Sequence, residues 1–553
     1  MPASAENINA IFIHLIKTNV MRTKTILASL LAIAALTGCN KENGDPADTG
    51  GRTDSDVAYL SIKIQAKTMT RGSDEGVVTA ENELKSLYLL TFDKNEVITP
   101  VPGGDYFVEI TSTAAPIAAQ KVSGSATKLL VIANPGSGMK DMITGGLSST
   151  TTFSTVNAAL TGATYEVLTG NDGFTMINCG DETGKGPTPP DNTIDYPLID
   201  IENSIKKPAD FASALDPDDA AKTAAEAARV TVKIERLASK VQLGLANTVD
   251  AGDATFDFGA WTLDGVNSTF YPWAKKTILS VTHNSTEGFY VNNFYTIDPN
   301  YTNDLGISKA TINQTTHAPE LVPPYDWEPN VATPQVMYCI ENTMDAPKQL
   351  FGNATRLVFK GTYYPKDFTT GSDWYHFAGT DYKTFGELLT AYNKSADPSN
   401  LRTACDNFYE KVKAKYQADI TAQDFSELTQ QMLDGASIDN GGEIIKNNYK
   451  PGDHVIRWYQ KGLCYWYYEI RHDNSPEATA TEMAFGKYGV VRNNWYRLTL
   501  NSVSGPGTPW YPDIDNPGPG DPDPKDPIDA SAGYIGITVE VAPWIVWDTG
   551  FGV

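Results

Sequence analysis

The residues of this chain that could take part in chemistry are few and widely spaced. Five cysteines and six histidines are spread over 553 residues. Cys39 ends the stretch Leu36-Thr37-Gly38-Cys39, directly after an apolar run, where a thiol is placed for acylation. Arg71-Gly72 lies in the small, polar stretch Thr68 to Gly76, an exposed loop by composition and so open to cleavage. Cys179, Cys339, Cys405 and Cys464 are an even number, which permits two disulfides and equally suits small buried hydrophobes. His283, His317, His376, His454 and His472 have no acid or nucleophile at catalytic spacing. HExxH, CxxC, GxSxG and Walker-type glycine loops are absent from the sequence, so it points away from an enzyme and calls for no cofactor and no metal.

The elements that position these groups begin with an address. Met21-Arg22-Thr23-Lys24 precedes an apolar run from Ile26 to Leu36, a secretory signal too short to span a ~30 Å hydrocarbon core. Leu36-Thr37-Gly38-Cys39 is similar to a lipobox, which makes Cys39 the expected lipidation site and the outer membrane the expected location of the precursor. Residues 1–20 precede this second start. The chain carries 43 Lys and Arg against 67 Asp and Glu, a formal charge of −24 that repels phosphate backbones, so nucleic acid is excluded as a partner.

Ala58 to Ala66 alternates, with Leu60, Ile62, Ile64 and Ala66 on one face and Ser61, Lys63 and Gln65 on the other, which predicts a half-buried strand. Further strands are expected over Leu84–Phe92, Thr127–Ala133, Val230–Ile234, Val241–Leu245, Phe256–Leu263, Phe270–Trp273, Val336–Ile340, Thr355–Lys360, Leu463–Ile470 and Val490–Leu500. Short strands divided by Gly, Pro, Asn and Asp argue for β-sandwiches. Helical material interrupts the second block, with Leu401, Ala404, Phe408 and Val412 on one face and Phe425, Leu428 and Met432 on a second helix ending at Gly435. The expected organisation is a signal with lipobox over 21–39, a propeptide with a removable strand over 40–71, sandwich domains over 72–247 and 248–502, a linker over 503–533, and a final strand with a tail over 534–553.

The linker carries eight Pro and six Asp from Val503 to Gly533, which predicts an extended, self-repelling spacer with no core of its own. After it, Ile535, Ile537, Val539, Val541, Ile545 and Trp547 share one face of a strand. An isolated strand of this kind must add to a sheet, and the spacer lets that sheet belong to another molecule. A strand-addition polymer needs an empty groove. Cutting at Arg71-Gly72 would create one by releasing the strand at Ala58 to Ala66, together with the lipid.

Leu84-Lys85-Ser86-Leu87-Tyr88-Leu89-Leu90-Thr91-Phe92-Asp93, Leu129 to Asn134, Ile234 to Val241 and above all Val490-Val491-Arg492-Asn493-Asn494-Trp495-Tyr496 resemble the fimbrillins of Bacteroidales, with the major subunit of short, Mfa-type fimbriae as the nearest likeness. The resemblance implies an all-β fold with helical insertions, built as two transthyretin-like β-sandwich domains plus a C-terminal donor strand. It further implies lipidation at Cys39, maturation by an arginine-specific protease at Arg71 and Gly72, and donation of Ile535 to Trp547 to a neighbour. The implied partners are copies of the chain and accessory fimbrial subunits, with adhesion and biofilm formation as the outcome. An accessory tip or anchor subunit is one alternative. Another is a surface lipoprotein that stacks sugars on Trp458-Tyr459 and Tyr465 to Tyr468, although such aromatics in strands are more often core.

Overall fold

A computed structural model describes residues 57–543 apart from 67–80, 162–168, 180–192, 281–293, 303–324, 327–335, 473–485, 529–534 and a few shorter stretches. The strands used below are β1 (Val57–Leu60), β2 (Ile62–Ala66), β3 (Leu87–Phe92), β4 (Val108–Ile110), β5 (Gln120–Ser123), β6 (Lys128–Ala133), β7 (Met176–Asn178), β8 (Ile199–Asp200) and β9 (Val230–Arg236). They continue with β10 (Ala238–Asp250), β11 (Thr255–Asp264), β12 (Met337–Ile340), β13 (Arg356–Tyr364), β14 (Trp374–Phe377), β15 (Arg457–Tyr459), β16 (Leu463–Glu469), β17 (Asn494–Val503) and β18 (Ile535–Pro543).

The single strand expected over 58–66 forms as two. β1 pairs antiparallel with β5, while β2 pairs in parallel with β9. The break at Ser61 passes the chain from one sheet to another. The Ser61 carbonyl accepts from the Val230 amide at 3.0 Å, and its hydroxyl donates to the Ile117 carbonyl at 3.3 Å while accepting from Arg229 Nε at 3.2 Å. Ser61 is therefore buried and not on a solvent face, whereas Lys63 is exposed as its place in the alternation requires.

β2 is the edge of a seven-stranded sheet in the order β2-β9-β7-β6-β3-β4, with β8 also on β6. Its core gathers Leu60, Ile62, Leu87, Leu89, Leu130, Ile132, Val232 and Trp273. β10 runs on from this core, where Ala238 packs, to a second, where Val241 and Leu243 pack. β10 is the centre of a five-stranded sheet, with β12 and the two-residue strand Tyr325–Asp326 on one side, β17 and then β18 on the other. A three-stranded sheet β11-β13-β16 faces the second core with Trp261, Phe359 and Trp466.

The helical insertion extends past the expected stretch. It comprises α1 (Phe385–Lys394), α2 (Asn400–Lys415), α3 (Gln430–Gly435) and α4 (Gly441–Lys446), beside β14 and β15. Ala404, Phe408 and Val412 are buried as the spacing predicts, in a third core with Tyr375 and Trp458. The expected helix through Phe425, Leu428 and Met432 is broken. Asp424 caps a 3-10 turn at Phe425–Glu427, Leu428 is extended, and Thr429 caps α3 by accepting from the Met432 amide. Two consecutive caps end one helix before the next begins. The strand expected over Phe270–Trp273 is reduced to Thr269–Phe270, because the Trp273 amide and indole instead donate to Asn157 at 2.8 Å and Asn178 at 3.0 Å.

Candidate functional site: the terminal strands and a polar cavity

At the N-terminal end, Ala58, Tyr59, Leu60, Ile62 and Ile64 are all buried. Tyr59 fixes β1 to the helix at Pro217–Ala227: its hydroxyl donates to Asp218 Oδ1 at 2.6 Å, Lys222 Nζ lies 5.3 Å from its ring centroid, and Ala221 and Ala225 pack on it. Burial, with help from Asp218, pushes the Tyr59 phenol up to about 12, so it stays a donor throughout the physiological range. Cys39, Arg71 and Gly72 lie outside the described residues.

At the C-terminal end, Ile535, Ile537, Val539 and Val541 fall on β18, which adds antiparallel to β17 of its own chain from Val503↔Ile535 to Asn494↔Pro543. Val541 is fully buried. Ile535, Ile537 and Val539 are only partly so. Arg497 pairs with Glu540 at 3.0 Å, and Asn501 Nδ2 donates to Thr538 at 2.7 Å along the strand. Ile545 and Trp547 lie outside the described residues.

The segment leading to β18 is not the free spacer that its Pro and Asp content predicts. Trp510 is fully buried, and Ile514 and Ile528 are nearly so. Asp521 Oδ2 accepts from Trp510 Nε1 and from the Gly518 amide, while Lys446 and Arg457 donate to the carbonyls of Tyr511 and Pro519. The aromatic and aliphatic side chains give this strap a core to join, and cations of the body bind its carbonyls. The sequence count of Pro and Asp could not supply either fact.

The Val490 to Tyr496 stretch has a physical reason for its residue types. Arg492 is buried against Glu341, with Nε 2.9 Å from Oε2, and its guanidinium also donates to the carbonyls of Tyr271 and Pro272. Asn493 takes a left-handed φ of 59° and its side chain accepts from the Arg236 amide at 3.1 Å. Asn494 donates back to the carbonyls of Val491 and Arg492. The stretch thereby ties β17 to the corner where β9 becomes β10.

The model for the C-terminal part of fimbrillin, the type IV major fimbrial subunit protein, matches residues 457–549, and the model for the major fimbrial subunit protein FimA matches residues 58–234. This chain belongs to the fimbrillin family. A search among curated proteins found no match. Solved structures similar to this fimbrillin include a candidate cell adhesion protein from Bacteroides eggerthii, at 15% identity and TM-score 0.36, covering 89% of this chain and 97% of that one. A fimbrilin from Porphyromonas gingivalis has 13% identity, TM-score 0.33 and coverages of 89% and 98%. The tip fimbrial protein Mfa3 of the same organism has 12%, 0.31, 88% and 100%. The chain is a fimbrial subunit, a structural component of cell-surface fimbriae.

The four described cysteines of this fimbrillin, Cys179, Cys339, Cys405 and Cys464, are all buried, and Cys339, Cys405 and Cys464 are free thiols. Burial pushes the Cys339 thiol up to about 12, which leaves it inert as a nucleophile. Among the described residues, no group of three or more His, Cys, Asp or Glu is placed to hold a metal ion.

A cavity of about 550 Å³ opens beside β16, bordered by Phe351, Tyr465, Tyr467 and Glu469 and covered by the strap. Glu469 is 8% exposed, and burial pushes its carboxyl up to about 7 against the pull of Arg356 and Arg471. Asp298 is likewise raised to about 7, by burial and, more weakly, the nearby Glu341, although the amides of Thr343 and Asn300 donate to it. A carboxyl raised on folding holds its proton more tightly in the native state. Its contribution is therefore most favourable below the unfolded value near 4.5 and declines as pH rises to about 7. Glu469→Gln removes one such group. The variant should match the parent at pH 4 and exceed it at pH 8 by up to about 3 kcal/mol. Urea titrations at the two pH values measure this, and an equal difference at both would refute the assignment.

Proposed function

We propose that this fimbrillin is the stalk-forming subunit of a fimbrium and polymerises by protease-triggered strand exchange, in support of adhesion and biofilm formation. In this reading the precursor is exported, lipidated at Cys39 and held at the outer membrane. An arginine-specific protease cuts Arg71-Gly72, β1 and β2 leave with the lipid, and the terminal strand of a neighbour enters the vacated edge beside β9.

The observation that carries the reading is the unequal burial of the two strands. β1 and β2 bury five apolar or aromatic side chains, four in the N-terminal core and Tyr59 against the helix at Pro217–Ala227, on the order of 10 kcal/mol of burial at ~1.5–3 kcal/mol each before entropy costs. Among its described side chains, β18 in its own sheet fully buries Val541, while Ile535, Ile537 and Val539 stay half-covered. A strand with an apolar face incompletely used at home gains by moving to a slot that buries that face. A subunit carrying both the removable strand and a donor strand fits a stalk better than a tip or an anchor.

The test is the N-terminus and the oligomeric state of the surface-exposed protein. Gly72 as first residue, with a ladder on denaturing gels that collapses on boiling, is the expected result. Arg71→Ala should leave monomers that begin at acylated Cys39. Acylated Cys39 on polymerised wild-type protein would overturn the maturation step.

A further inference from the structure

The strap is tied to the body near its start, at its middle and near its end. Near the start, the Tyr465 and Thr508 amides each donate to the other's carbonyl, at 2.8 and 2.9 Å. The Tyr459 hydroxyl donates to the Gly507 carbonyl at 3.0 Å, and Trp466 Nε1 donates to that of Gly505 at 3.1 Å. At the middle the helical insertion takes hold. The Tyr511 amide donates to Glu443 Oε1 at 2.6 Å and Lys446 Nζ donates to the Tyr511 carbonyl at 2.8 Å, so α4 grips both backbone polar groups of one strap residue. Near the end, the Gly352 and Phe351 amides donate to the Pro524 and Asp526 carbonyls at 2.8 and 3.1 Å, and the Ile528 amide donates to the Gln349 carbonyl at 3.2 Å.

Two glycines record how closely these segments approach. A Cβ on Gly442 of α4 would stand 1.8 Å from the Pro509 carbonyl oxygen, and one on Gly507 of the strap 1.9 Å from that of Tyr465. The partners that hold the strap lie on β15, β16, α4 and the 349–352 stretch. Breaking the pairing of β18 with β17 therefore breaks none of these bonds.

We propose that the helical insertion is a clamp on the strap, so that the strap stays seated on its own subunit when β18 leaves for a neighbour, and Ile528 is the root from which the strand travels. This rests on strand donation as the mode of assembly. Its consequence is a limit on reach. Ile535 is seven residues on from Ile528, a span of at most about 25 Å at ~3.6 Å per residue, whereas a free chain from Val503 would span roughly 110 Å. The accepting slot of a second copy must come within the shorter distance, which fixes the spacing of subunits.

Hydrogen exchange read by mass spectrometry on the monomeric full-length precursor tests the clamp. A chain lacking residues 534–553 stands in for a subunit whose strand has left. Its strap peptides over 505–528 should keep their wild-type protection to within about threefold. In the intact chain, Glu443→Ala should speed exchange of the Tyr511 amide about tenfold, as expected for the loss of one hydrogen bond to a charged acceptor. Glu443→Gln keeps an acceptor oxygen and should restore most of the protection. The Glu443 variants carry the test even where the deletion variant does not fold. Strap peptides that exchange as an open chain in a folded deletion variant, or a Tyr511 amide unmoved by Glu443→Ala, overturn the clamp. Failure of the cleaved wild-type chain to form a ladder counts against strand donation instead.

Discussion

Deletion of residues 534–553 should leave a folded precursor that no longer polymerises. β18 is the edge strand of its sheet, so its loss removes the pairing from Val503↔Ile535 to Asn494↔Pro543 and leaves the β10–β17 pairing whole. The second core loses the full burial of Val541 and part of that of Ile535, Ile537 and Val539, roughly 5 kcal/mol by area. Trp261, Phe359, Trp466 and Leu498 remain packed there. The expected outcome is a lower melting temperature, normal cleavage after Arg71, and monomers on an unboiled gel where the intact chain gives a ladder. Val541→Asp should reproduce the loss of stability by burying a carboxylate. A ladder that persists in the deletion would exclude this strand as the joint.

Glu81→Ala should lower stability by about 3–5 kcal/mol, because it leaves a buried ammonium without its counter-charge. Glu81 and Lys240 are both essentially inaccessible, with Lys240 Nζ at 2.9 Å and 3.1 Å from the two carboxylate oxygens. Tyr338 donates to the same carboxylate at 2.5 Å, Arg236 Nε donates to the Glu81 carbonyl at 3.0 Å, and Lys240 Nζ sits 4.3 Å from the Trp495 ring centroid. Burial pulls the Lys240 ammonium down, and Glu81 opposes the shift, so removing Glu81 favours the neutral amine. Adding Lys240→Met should restore most of the loss, since an apolar side chain needs no partner there. Urea unfolding of the single and double variants tests the coupling. A single-variant loss under about 1 kcal/mol would refute it. Glu81 lies on the C-terminal side of Arg71, so the pair would be kept in a chain cut as proposed.

Much of the strand content was legible because alternation and β-branched runs report local burial directly. β3, β6, β11, β13 and β16 fall within a few residues of the stretches that their patterns mark. Ser61 was read onto a solvent face because period-two alternation assumes one sheet with one wet side. A strand that crosses between sheets buries both. The strap was misread for a related reason: Pro and Asp describe a chain in water, and the body's lysine and arginine donors change that solvent. The candidate cavity was invisible for a third reason. Tyr465, Tyr467 and Glu469 alternate with core residues in the sequence just as solvent-facing residues would, and only the strap above them turns that face into an enclosure.

By itself the sequence determined the β-rich architecture, the apolar face of the final strand and the family likeness carried by Val490 to Tyr496, and it motivates the proposals of lipidation at Cys39 and a cut at Arg71. All of these rest on residues close together in the chain, where spacing and residue type are the physical signal. The tertiary structure alone decided that β1 and β2 occupy different sheets, that β18 rests in its own chain with half its apolar face uncovered, and that Glu81 meets Lys240 across 159 residues. Such contacts depend on which distant strands become neighbours. Packing and hydrogen bonding over the whole core set that choice, and no local pattern encodes it.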